Sequence, residues 1–191
     1  MRREQPAVRT LLFGHPTRPM PSDAAAPLIL TLALDEATQT YFDELRRQHF
    51  PPKINYLAAH LTLFHHLPGA EWSRASETLH ELSQPRQPLP LRVTGLRSLG
   101  RGVAFTLENE ALQALHRRLQ AAFAPHLTPQ DQQKLRPHVT VQNKVAPAVA
   151  QELLAGLQAG FTPFEAVGTG LQLWAYRNGP WESLAGFPFL P

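Results

Sequence analysis

The chain has 191 residues, 43% of them hydrophobic and 17% charged, which fits one domain or two small lobes on a shared core and excludes a disordered charged tail. There is no cysteine, so disulfides, thiolate metal sites and cysteine nucleophiles are excluded. The balance of 18 basic against 15 acidic residues leaves +3, too little to imply a nucleic-acid partner from charge alone.

Residues 1–26 carry Arg2, Arg3, Arg9 and Arg18 among several prolines, with no sustained period. Leu11-Leu12-Phe13 runs at once into Gly14-His15-Pro16, so a secretory apolar core is missing. The segment reads as a mobile extension of a cytoplasmic protein, ahead of a single bilobal domain over 27–191. Leu28 to Leu34 is the longest apolar run and is far too short to cross a bilayer; its β-rich composition predicts a buried strand. Asp35 caps a helix from Glu36 to about Gln48, which Pro51-Pro52 stops. A second strand is expected over about Ala58 to His65. Beyond Pro68-Gly69, Trp72, Ala75, Leu79 and Leu82 recur at helical spacing, and Gln84 to Pro88 is a connector.

The second half opens with strands near Leu89–Leu96 and Val103–Leu107. Asn109 then caps a helix with Leu112, Leu115, Leu119 and Phe123 on one face. A strand from about Pro137 to Lys144 follows, then a helix opened by Pro147. Two final strands fit Gly170–Tyr176 and Trp181–Phe187. Strand, capped helix, proline-bearing loop and strand therefore occur twice, at 28–65 and 103–144. The expected fold is α+β: two pseudo-twofold-related lobes of antiparallel strands with outer helices around a central cleft.

One tetrapeptide pattern recurs at matching places in the two copies: His60-Leu61-Thr62-Leu63 and His138-Val139-Thr140-Val141. Side chains alternate faces along a strand, so each copy presents an imidazole beside a hydroxyl while its apolar residues turn inward. Packing about a pseudo-twofold axis brings the two pairs to one cleft. On these paired motifs, together with the strand–helix opening at Leu28 and the Arg136-Pro137-His138 approach, the chain resembles the 2H phosphoesterases over about 27–190. Within that superfamily it looks like the 2′-5′ RNA ligase or RNA 2′,3′-cyclic phosphodiesterase branch. The resemblance implies a bilobal fold and metal-independent chemistry on a phosphodiester, with no cofactor. It implies His60 as general acid and His138 as general base.

The residue types suit that chemistry. Two histidines on opposite sides of phosphorus can take a proton from the attacking water and give one to the departing ribose oxygen, if one is neutral and the other protonated. Thr62 and Thr140 can donate to the non-bridging oxygens. Further substrate contacts are expected from Arg136, from Lys144 and Phe64 (reached by counting in twos from the motif histidines), and from Tyr56 as a stacking surface. Trp174 and Tyr176 fit sheet packing better than stacking. His65-His66 reads as coincidence rather than a metal pair, since neighbours on a strand face opposite ways, and His49, His80 and His116 read as surface residues. The expected protein is a monomer acting on small nucleotides or RNA ends, with RNA 2′-5′ joining or non-catalytic binding of nucleotides and RNA ends as alternatives.

Overall fold

The computed structural model describes residues 26–190; the expectations for the arm at 1–25 fall outside the described residues. The elements follow in the order β1 (Leu28–Leu34), α1 (Glu36–His49), β2 (Leu61–Leu67), α2 (Trp72–Ser83), β3 (Leu89–Ser98), β4 (Val103–Glu108), α3 (Glu110–Phe123), β5 (His138–Gln142), α4 (Pro147–Ala159), β6 (Phe164–Tyr176) and β7 (Trp181–Pro188). All strand pairings are antiparallel, in the order β2-β1-β6-β3-β4-β5, with β7 added on β6.

This order reads the same from either end once the chain is cut between β3 and β4. The repeating unit is β-α-β-α-β, larger than the strand–helix–strand unit visible in the sequence, and the halves exchange their third strands. β3 of the first unit pairs with β4 of the second, while β6 of the second pairs with β1 of the first. The pseudo-twofold axis therefore passes between β3 and β6, where Pro90 and Val167 are cross-strand partners. The helix caps report the same symmetry. Asp35 accepts from Thr38 N at 3.0 Å and from Val167 N at 2.8 Å. Asn109 accepts from Leu112 N at 2.6 Å and donates to Pro90 O at 2.7 Å. Each cap thus starts its helix and fastens it to the central strand pair.

β6 starts at Phe164 rather than near Gly170. Its glycines allow close approach: a Cβ on Gly168 would meet Leu32 Cδ2 at 2.9 Å, and one on Gly170 would meet Phe187 O at 2.7 Å. Along one edge β6 pairs β3 over 164–168 and then β7 over 170–176, so one long strand serves both halves. The core runs through both, from Leu28, Leu30 and Leu61 to Phe105, Leu112 and Val139, all essentially inaccessible. Phe42 bridges α1 to the second half, with its ring 5.3 Å from Phe105.

The terminal strands of the path, β2 and β5, come into contact. They are the strands that carry the motifs. α1 packs on β5, and α3 reaches β2 through His116, whose ring stacks on Phe64 at 4.8 Å and whose Nε2 lies 3.1 Å from Leu63 O. Each half lends its first helix to the other half's motif strand. His116, expected at the surface, is therefore buried at 2% exposure.

Candidate active site

The two motif histidines are set in the same way. His60 Nδ1 lies 2.8 Å from Ala58 O, and His138 Nδ1 lies 2.8 Å from Arg136 O. A carbonyl oxygen carries no proton, so each Nδ1 is the donor and each Nε2 is left with its lone pair. Burial, the largest influence, lowers the pKa of both rings. His60 falls to about 4, helped by the charges of Arg46, His138 and His65 and opposed by its bond to Ala58 O. His138 is lowered next by Arg97 and His65 and raised by its bond to Arg136 O. At neutral pH the protein presents two neutral imidazoles in electrostatic contact, each with an unprotonated Nε2.

Side chains of the first helices hold the approaches to both motifs. From α1, Gln39 Nε2 donates to Ala59 O at 2.8 Å and Asp43 accepts from Ala59 N at 2.6 Å. Buried Arg46 donates to Asn55 Oδ1 at 2.8 Å, Leu57 O at 3.0 Å and, across the cleft, Thr140 O at 2.9 Å. From the equivalent turns of α3, Gln113 Nε2 donates to Leu135 O at 3.0 Å and Gln120 Nε2 to Asp131 O at 2.9 Å. Backbone that would otherwise be loose is thereby fixed before each histidine.

Both motif strands carry a bulge at the fourth motif residue. The β1–β2 register slips by one between Thr62 and Phe64, and the β4–β5 register slips by one between Thr140 and Gln142. A one-residue slip reverses the faces beyond it. Phe64, expected as a wall for a nucleobase, is instead fully buried between His116 and Phe123. Gln142 is turned inward as well, at 3% exposure. Strand β5 ends at Gln142, and Lys144 follows in a turn at φ 62°, exposed and outside the lining of the motif cavity. The alternation that pointed to Phe64 and Lys144 does not survive the bulges.

A cavity of about 230 Å³ joins the halves, with Thr62 of the first motif and His138 of the second among its walls. Arg136 lines it as expected. His60 and Thr140 lie outside this lining; the His60 ring rests on Trp181 with centroids 4.6 Å apart. Tyr56 is 63% exposed on the loop before the first motif. Trp174 donates from Nε1 to Thr31 Oγ1 at 2.9 Å and packs against Trp181. A larger apolar cavity, about 520 Å³ against Tyr41, Phe105, Leu157 and Phe161, contains no motif residue.

Sequence reasoning missed Arg97, Lys134, His65 and Asp131, which line the motif cavity too, and Trp181. The bulge at Leu63 brings His65 to the cavity. Buried Asp131 accepts from His65 N at 2.8 Å, His66 N at 3.1 Å and Thr128 Oγ1 at 3.0 Å, and its Oδ1 lies 3.1 Å from His65 Nδ1. These bonds hold its carboxyl below the usual range against the opposing effect of burial. Among the described residues no cluster of three or more His, Asp or Glu side chains is placed to hold a metal ion, and no helix is long and apolar enough to cross a membrane.

The sequence model of the 2′-5′ RNA ligase superfamily matches residues 34–180. The fold is similar to that of TT0787 of Thermus thermophilus, with 19% identity and a TM-score of 0.62 over 85% of this chain and 97% of that one. It is also similar to LigT of E. coli in its apo form, at 19% identity and a TM-score of 0.60 over 88% of this chain and 100% of that one. The complex of LigT with 3′-AMP aligns at 16% identity and a TM-score of 0.55, over 87% and 99% of the two chains. No curated protein sequence matches the chain.

Proposed function

We propose that this chain, which belongs to the 2′-5′ RNA ligase superfamily, is a phosphodiesterase that opens 2′,3′-cyclic phosphates of nucleotides or RNA ends. The observation that carries this reading is the matched pair of imidazoles, each with Nδ1 bound to a carbonyl and Nε2 left to exchange a proton. Two such groups, one from each half, serve an in-line displacement in which nucleophile and leaving group lie on opposite sides of phosphorus. LigT of E. coli has been solved with 3′-AMP, with NADP+ and with ATP, ligands that share a nucleotide phosphate, and this supports a nucleotide phosphate as the ligand here.

Water attacks phosphorus and passes its proton to His138 Nε2. The bond from phosphorus to one ribose oxygen breaks, and that oxygen takes a proton from His60 Nε2–H. Thr62 and Thr140 donate to the non-bridging oxygens as their charge grows. His60 is neutral in the unliganded protein, so the acid role requires it to gain a proton as the substrate anion arrives and offsets the burial and the neighbouring cations. The joining path, in which a ribose hydroxyl of a second RNA end attacks the same cyclic phosphate in place of water, passes its proton to the same base and breaks the same bond, and is the reaction for which the family is named; water at bulk concentration favours hydrolysis. We place the reaction in the cytoplasm and assign it to a single chain without a metal.

The test is turnover of a panel of nucleoside 2′,3′-cyclic phosphates with and without a chelator. Activity is expected to survive chelation and to fall about 10²–10⁴-fold in His60→Ala and in His138→Ala. Full activity in either variant overturns the scheme. The roles separate on a substrate whose leaving oxygen is replaced by sulfur, which needs no acid: it restores His60→Ala and leaves His138→Ala slow. The opposite pattern exchanges the roles.

A further inference from the structure

The motif cavity holds more positive charge than one phosphodiester needs. Arg97, Lys134 and Arg136 all line it, and among the described residues none of the three has a carboxylate within ion-pair distance. A phosphodiester brings a single negative charge, and the motif threonines and histidines already address it. The one acid in the lining, Asp131, is buried, and its two oxygens are taken up by the hydrogen bonds at His65, His66 and Thr128. It makes no ion pair with the three cations; it holds His65, whose Nδ1 lies 3.1 Å from its Oδ1. Lys134 and Arg136 are exposed and Arg97 is half-buried, so an anion entering the cavity can reach all three. Their position on the side of His138, where Arg97 is close enough to act on that ring, puts the surplus charge next to the reacting phosphate rather than on a distant surface.

We propose that Arg97, Lys134, Arg136 and His65, the last held by Asp131, form a subsite for a second phosphoryl group of the same substrate. The inference rests on the phosphodiesterase reading and narrows its substrate class. A bare nucleoside 2′,3′-cyclic phosphate fills only the reacting position. The preferred substrate carries another phosphate, either a 5′-monophosphate on the same nucleoside or the diester linking it to a preceding nucleotide. Arginine suits this task because its planar fork grips two phosphate oxygens at once, while lysine adds a point charge.

Binding measured by calorimetry at about 0.15 M salt, where exposed charges beyond roughly 8 Å are screened, decides the matter independently of turnover. The probes are adenosine 3′-monophosphate, adenosine 3′,5′-bisphosphate and a dinucleotide ending in a 3′-phosphate. One of the two probes with a second phosphate is expected to bind at least about 10-fold tighter than the monophosphate, the value of one charged hydrogen bond, and which one does so identifies the source of the second phosphate. Arg97→Gln and Lys134→Gln are expected to remove that preference, weakening the probe with the second phosphate by at least about 10-fold more than they weaken the monophosphate. Arg92→Gln, on the outer part of β3 beside Glu165, is expected to leave it intact. Equal affinity for all three probes, no binding of any, or a preference that survives both cavity variants overturns the subsite. Failure of cyclic phosphate turnover with the binding preference intact instead removes the phosphodiesterase reading and leaves the subsite standing.

Discussion

Replacing Arg46 with methionine tests whether one buried side chain holds the two motifs in register. Methionine keeps an unbranched stem of similar reach in the same site and deletes the guanidinium. That group makes three hydrogen bonds, to Asn55, Leu57 O and Thr140 O, and lies 3.9 Å over the Phe50 ring. Burial pushes its pKa down to about 10 with partial compensation from Asp43, so it stays charged at neutral pH. Counting about 1 kcal/mol net for each hydrogen bond gives a loss of about 3 kcal/mol, which for a domain of this size is a fall in Tm of about 6–12 °C. Two carbonyls lose their donor at once, one on the loop before His60 and one inside the second motif, so the imidazoles drift relative to each other. A misplacement of about 1 Å can cost about 10²-fold in rate. Thermal unfolding and kcat on a cyclic phosphate are the assays. Removing a neighbouring cation also lets the His60 pKa rise, so the ring in its acid role holds its proton to higher pH. A Tm within about 2 °C of the parent, or a destabilised protein with unchanged kcat, refutes the bracing role.

Stability should fall on acidification. His60, His116 and His138 all have folded pKa values below the unfolded value of 6.5, so the unfolded chain binds more protons as pH drops. The stabilisation is complete above 6.5 and is lost toward about 4, the folded value of His60; melting from about pH 7 to about pH 4.5 should show it, with a shallower slope in His60→Asn. Phe64→Ala should act on folding rather than on substrate, costing about 3–5 kcal/mol by chemical denaturation, with KM unchanged for the protein that remains folded. A rise in KM at undiminished stability would return Phe64 to the cleft. His116→Leu leaves Leu63 O without its partner and should cost about 1–3 kcal/mol; a neutral or stabilising effect would show that the α3–β2 link contributes nothing.

Much of the frame can be read directly from the residues. Asp35 and Asn109 announce their helices, the prolines end them, and the repeated tetrapeptide marks the two strands that meet. The sheet's symmetry lies deeper, because an exchange of third strands leaves no trace in local periodicity. The bulges at Leu63 and Val141 are equally silent: an extra strand residue changes no composition, yet it buries Phe64 and Gln142 and turns His65 toward the cavity. His116 looks exposed in sequence because the leucines of α3 mark one buried face; the polar position beside them is covered by a strand from the other half. Arg97 has no motif around it, and only the folded chain brings it beside His138; Lys134 lies four residues ahead of His138, in a loop that counting along a strand does not reach.

Nitrogen-15 NMR of the imidazole rings at neutral pH, with nucleoside 2′-phosphate as the added anion, reaches the central geometry most directly. Neutral histidine in water prefers its proton on Nε2. Here the rings of His60 and His138, among nine in the chain, should instead carry it on Nδ1, and both Nε2 signals should move when the anion is added. A proton on Nε2 of either ring in the unliganded protein, or a response from only one of them, contradicts the account.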